Sequence, residues 1–212
     1  MKKILVALGF ALVSTMSSAA TLSIIADGST FNSINNSEND GSDGLWGGDN
    51  STLNAGLYAQ GSVHATGTLV SNIDGFFTAT YLGKVAGFDN MYVGGSTIGN
   101  TAGASATIAS VAGQAINFSF LDGGNGSTFM NGDSNQQFQG LVFLDAALWN
   151  TANNTSYDFL IGYNDTATVN SDYDDYVVGV VNQVPVPAAL PLMASALGLF
   201  GLSRRKNKAA AV

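Results

Sequence analysis

The chain reads as an all-β domain, an antiparallel sandwich or jelly roll, held between two apolar ends. Three observations predict this. Short apolar or alternating runs recur through residues 21–183. Clusters of Gly, Asn, Asp and Ser separate those runs. No long stretch in this region carries the 3.6-residue apolar period of an amphipathic helix. A length of 212 residues fits one domain with processing segments at either end.

The expected strands are 21–26, 56–70, 75–82, 105–111, 115–121, 140–144, 157–163 and 176–181. Residues 146–151 stay open between a helical turn and a loop. In the third run Phe77, Ala79 and Tyr81 alternate with Phe76, Thr78 and Thr80. In the fifth, Ile116, Phe118 and Phe120 share a face. These aromatics are expected to form a core rather than a carbohydrate platform, since buried aromatics dominate small β domains. Trp46, in a Gly-rich stretch, is read as a loop residue capping the end of the domain, with ligand stacking as the alternative. Two polar stretches, 32–52 and 122–139, are expected to be surface loops. The first carries Glu38, Asp40, Asp43 and Asp49 but does not match an EF-hand.

Charge sorts the chain into three parts. Lys2 and Lys3 stand at the start, and Arg204, Arg205, Lys206 and Lys208 near the end. Between them a single Lys84 faces fifteen acids, all Asp except Glu38. Such a domain repels phosphate backbones, so no nucleic-acid partner is expected. The absence of Cys rules out disulfides, zinc–thiolate sites and Cys nucleophiles. His64 is the only His, which rules out His clusters as metal sites. Asp without basic partners leaves two readings, a solvating halo or oxygen ligands for a hard cation.

The ends read as processing signals. Residues 1–20 have a positive start, an apolar run over 4–13 and small residues at 18–20, the pattern of a secretory signal peptide. Export through the Sec translocon and cleavage by signal peptidase after Ala20 are expected, with Ala19 as the alternative. At the other end, residues 184–202 hold no charge and precede Arg204, Arg205 and Lys206. A transmembrane helix is expected over about 188–202, with the C-terminus in the cytoplasm by the positive-inside rule. A plain membrane anchor needs the same hydrophobic stop and basic flank.

The box Val184-Pro185-Val186-Pro187-Ala188, the apolar helix and the stop at Arg204, Arg205 and Lys206 together resemble the PEP-CTERM class of sorting tails, in its Val-Pro-x-Pro-Ala variant. Val186 stands where the defining Pro-Glu-Pro has Glu. The resemblance covers about residues 184–208. It implies processing near the proline box by an exosortase, an integral-membrane cysteine protease. It also implies transient anchoring in the inner membrane of a Gram-negative cell, then delivery to the cell surface, outer envelope or an exopolysaccharide matrix.

The densest acidic segment lies before the last expected strand. Asp165 follows an apolar run, and Asp172, Asp174 and Asp175 crowd into four residues. Like charges this close repel unless water or a cation screens them. In an extended segment Asp172 and Asp174 point to one side and Asp175 to the other. Two of these carboxylates and a backbone carbonyl, with Asp165 across the turn, are expected to form a partial calcium shell, so that Asp165, Asp172, Asp174 and Asp175 are the candidate calcium ligands. A solvated acidic turn is the alternative. The series Gly162, Tyr163, Asp165, Asp172, Tyr173, Asp174, Asp175 and Val177 resembles the end of uncharacterised bacterial extracellular β domains, which again implies calcium.

A non-enzymatic surface or matrix protein, binding calcium, a glycan or both, is therefore the leading expectation. A glycan hydrolase using paired Asp carboxylates is the alternative. A serine hydrolase is disfavoured, because His64 is the only candidate base and no Gly-x-Ser-x-Gly elbow occurs. His64 itself is expected to face solvent from a strand. An ice-binding or adhesin-like surface ranks third, on Thr/Ala/Ser-rich runs without a strict repeat.

Overall fold

The structure is a computed structural model that describes residues 21–34, 63–84, 87–165 and 172–184. The expected signal peptide, its cleavage residue Ala20, Trp46, Glu38 and the sorting residues from Pro185 to Lys206 lie outside the described residues. Val184, the first residue of the proline box, is exposed. Among the described residues no helix is long and apolar enough to cross a membrane.

The domain is all-β, and its strands pair antiparallel. The first unit joins β1 (Leu22–Ala26) to β2 (Gly67–Ser71). A five-stranded sheet follows, made of β3 (Gly75–Gly83), β6 (Ser105–Ser110), β9 (Gly140–Asp145), β10 (Phe159–Asn164) and β11 (Tyr176–Gln183), in the order β6-β3-β11-β10-β9. A four-stranded sheet holds β4 (Met91–Gly94), β5 (Ser96–Ile98), β7 (Ser119–Leu121) and β8 (Thr128–Met130), in the order β5-β4-β7-β8. One short helix, α1 (Ala147–Asn153), follows β9. Asp145 Oδ1 accepts the Ala147 N–H at 2.7 Å and so tethers the start of α1. Asn154 in the left-handed region ends it.

Period-two burial follows from the pleat. Along β3, Phe77, Ala79 and Tyr81 face inward while Phe76 turns out, 47% exposed. Ile116, Phe118 and Phe120 are also buried, so both expected core sets are core. Inner faces of the two larger sheets share one apolar cluster that also takes Leu22 from β1 and Leu69 from β2. Its centre is aromatic. Phe120 stacks on Tyr163 with ring centroids 5.0 Å apart and meets Tyr92, Phe118 and Tyr176 edge-on.

The outer face of the five-stranded sheet is covered on one half only. Over β9, β10 and β11, Ile34, Ala146 and Tyr173 bury Val142, Leu144, Leu160 and Val177, with Leu148, Trp149 and Tyr157 packed alongside. Tyr157 lies so close over Gly179 that a methyl group there would meet its ring. Over β3 and β6 the face is open, with Phe76, Ser105, Thr107 and Ala109 exposed and Thr78 hydrogen-bonded to Thr107 at 2.9 Å.

Four features differ from the sequence reading. Strands β4 and β5 lie in a stretch where none was expected. The stretch 122–139 is no simple surface loop: it contains β8 and buries Asp122 and Asn135. In the run 115–121 only Ser119–Leu121 forms a strand, and Ala115 makes a lone bridge to Val70. His64 sits between two isolated bridges, half-buried, with Nε2 shielded and unbonded, so it does not face solvent from a strand. Burial lowers its pKa.

Strand β11 sets the long axis. Its last residues lie beside Thr21, because Asn182 Nδ2 donates to the Thr21 carbonyl at 3.0 Å. Both ends of the domain therefore leave from one pole. The segment Asp172–Asp175 enters β11 at the opposite pole, about 23 Å away at the usual rise of a strand.

Candidate metal centre

Four strand ends meet at that far pole. β10 ends at Asn164, followed by Asp165. β11 begins after Asp175. Asn90 precedes β4, and Asp122 follows β7. Pairing of Met91 with Leu121 brings the last two ends side by side.

The acidic segment does not run extended into β11. Tyr173 adopts a left-handed conformation, φ 58°, which costs a non-glycine residue about 1–2 kcal/mol. The turn is held from both sides. Tyr173 is buried, its hydroxyl donates to the Phe31 carbonyl at 2.8 Å, and Asn135 Nδ2 reaches that hydroxyl at 3.5 Å. Its own carbonyl presses on Gly162, where a side chain would collide with it. Gly162 in β10 is thus the space into which the acidic turn closes.

The consequence corrects the expected geometry. Asp175 does not point away from Asp172 and Asp174. The three carboxylates converge, each offering an oxygen within 4.8 Å of the others. They are 6%, 2% and 7% exposed. Asp165 stands next to this group rather than within it. Its backbone N–H donates to Asp175 Oδ2 at 2.7 Å, and its own Oδ2 accepts from Asn90 Nδ2 at 2.8 Å. Asn90 also reaches the Asp175 carbonyl at 3.3 Å and accepts the Gly123 N–H at 2.9 Å. Asp122, equally buried, accepts from Gly124 and Asn125.

Five buried carboxylates therefore share one pole. The only described Lys or Arg, Lys84, is bonded to Asp89 and the Phe88 carbonyl. A pair of unit charges at 4.8 Å repels by about 3.5 kcal/mol at an effective dielectric of about 20. Hydrogen bonds from Asn90 and backbone amides offset part of this, and they carry no net charge. Burial, then the charges of Asp165 and Asp172, push the Asp175 carboxyl up to about 8, against the opposing pull of the Asp165 N–H. Burial also raises the phenols of Tyr163 and Tyr173, with nearby Asp charges adding to the shift.

Such a pole has two ways to reach neutrality, by holding protons or by holding a cation. Three convergent carboxylates with backbone and amide oxygens nearby form an all-oxygen donor set. Hard cations such as calcium favour that set, and it does not suit zinc or copper.

Of the four acids singled out in the sequence, Asp172, Asp174 and Asp175 are brought together and Asp165 supports them from the side. Asn90, Asp122 and Asn135 were missed as parts of the site, and Tyr173 was named in the motif without its role in turning the acidic segment. Asp122 had a local signal, since Asp-Gly-Gly-Asn is an Asx-turn sequence. Asn90 had none, because its role depends on a strand pairing between distant segments. Comparison of the chain with protein-family models, with curated proteins and with solved structures returns no match.

Proposed function

We propose that this is an exported, non-enzymatic protein of the cell surface or exopolysaccharide matrix, whose β domain binds calcium at the Asp172–Asp174–Asp175 pole. One observation carries the calcium reading: three buried carboxylates converge where no described Lys or Arg offers a counter-charge. Export rests on residues 1–20, with cleavage after Ala20. Delivery by an exosortase rests on the box from Val184 to Ala188 and the stop at Arg204, Arg205 and Lys206. Matrix polysaccharide is the proposed partner, since carboxylated glycans and an acidic protein both bind calcium through oxygen.

The hydrolase alternative fits less well. Glycosidase carboxylates flank a bond some 5–10 Å apart and must admit a sugar between them. The clustered acids here bring oxygens within 4.8 Å of one another, below that range, and are almost fully covered.

Calorimetric titration of the chain with calcium, beside magnesium and a chelator control, tests the central claim. Binding lost in Asp172→Asn/Asp174→Asn is the expected result. Equal heats for the variant and the native sequence would remove the site.

A further inference from the structure

At the pole opposite the acidic cluster, Thr21, just before β1, is held by side chains as well as by the backbone. Its carbonyl accepts the Asn72 N–H at 2.9 Å and Asn182 Nδ2 at 3.0 Å. Its hydroxyl donates to Asp158 Oδ2 at 3.2 Å. The holders are themselves fixed. Asn182 is buried, donates its backbone N–H to the same Asp158 oxygen at 2.8 Å, donates Nδ2 to Ser71 at 2.7 Å, and accepts from Ser110 at 2.8 Å. Three segments distant in sequence thus converge on Thr21.

We propose that this network is a socket for a processed chain end: the new N-terminus at Thr21 seats its α-ammonium against the Asp158 carboxylate. The proposal rests on the reading that the leader is removed after Ala20. Hydrolysis breaks the Ala20–Thr21 peptide bond. Water supplies the hydroxyl that completes the Ala20 carboxyl and the hydrogen that completes the Thr21 amine. At neutral pH that amine takes up a further proton, its ordinary pKa being about 7.7–8.0. The Thr21 nitrogen lies no more than about 3.7 Å from its own Oγ1 by standard covalent geometry. It is therefore within about 7 Å of Asp158 Oδ2 before any adjustment. Charge argues the same way. Lys84 is the only basic residue between Lys3 and Arg204, and it is already paired. A free α-amine adds a second cation to a domain with fifteen acids, at the place where an exposed carboxylate already holds the chain.

The test uses the chain from Thr21 to Val212 in detergent micelles, released from a fusion that leaves Thr21 first. It is compared with the same chain acetylated at Thr21, each in the native sequence and as Asp158→Asn. At low salt, acetylation is expected to lower the Tm by about 1–3 °C in the native sequence, as an exposed ion pair does. Asp158→Asn should remove most of that difference, and so should high salt. Equal losses in both backgrounds overturn the socket. Should Asp158→Asn fail to fold, the salt dependence of the acetylation effect decides in its place, and a salt-independent loss overturns the proposal. Mass spectrometry of the exported protein tests the leader reading separately. A first residue other than Thr21 would mean that processing does not fill the socket.

Discussion

The aromatic interior and the acidic pole solve opposite problems within one domain. Between the sheets, Phe120 meets Tyr92, Phe118, Tyr163 and Tyr176, and every partner comes from the chain itself. At the far pole, Asp172, Asp174 and Asp175 meet one another, and the chain supplies hydrogen bonds but no described basic side chain. The interior is complete under any solution condition that preserves the hydrophobic effect. Stability of the pole depends on what the solution supplies. The two regions touch at Tyr163 and Tyr176, core residues that stand two positions before Asp165 and one after Asp175.

The largest effect should come from breaking the self-sufficient half. Phe120→Ala should cost about 3–5 kcal/mol in urea unfolding, and the loss should be the same with calcium and with chelator. A calcium-dependent loss would show that the two regions are not separable. Next in size, calcium at a hundred times its dissociation constant should add about 2.7 kcal/mol, or roughly 5–10 °C in a thermal melt. Asp172→Asn/Asp174→Asn should abolish that rise. In chelator, however, the same variant should melt above the native chain, because it removes buried like charges. A variant less stable than the native chain in chelator would mean that the carboxylates serve the fold directly.

Third, pH should separate the regions. The Asp175 carboxyl rises from 3.8 in the unfolded chain to about 8 in the fold. Its folded state therefore holds a proton that the unfolded state has lost. The contribution is fully present below about pH 4 and disappears as pH climbs through about 8. Without calcium the Tm should fall across that window. Saturating calcium should flatten the fall and release protons on binding, which titration in buffers of different ionisation enthalpy would detect. Fourth, Gly162→Ala pushes on the Tyr173 carbonyl. A loss of about 1–3 kcal/mol with a weakened calcium response is expected, since the methyl group displaces the turn that gathers the acids. Smallest of all, Thr107→Ala on the open face of β6 should change unfolding by no more than about 0.5 kcal/mol, with the calcium response intact.

The sequence disclosed the interior more fully than the pole, for a physical reason. Alternation in β3 is a local consequence of the pleat, so the face of Phe77 could be read directly, and Ile116, Phe118 and Phe120 are buried as their spacing implied although only Phe120 lies in a strand. Strands β4, β5 and β8 escaped because they are only three or four residues long, too short to show an alternating pattern. Long-range pairing, not local propensity, makes them strands. Crowding of Asp172, Asp174 and Asp175 was visible as a charge problem. Its resolution was not, because the convergence depends on one residue, Tyr173, leaving the extended conformation that the spacing implied. No local pattern marks a tyrosine for the left-handed region. What fixes it there is Phe31, Asn135 and Gly162, three positions spread along the chain.

The central place of β11 has a mechanical consequence. Any pull on the chain beyond Val184 enters the fold through Gln183, at the end of a strand hydrogen-bonded along its length to β3 on one side and β10 on the other. The load runs parallel to the strand, so the flanking ladders are sheared together instead of being unzipped one bond at a time. A protein tethered through that end and held elsewhere at its opposite pole would carry tension along its stiffest line.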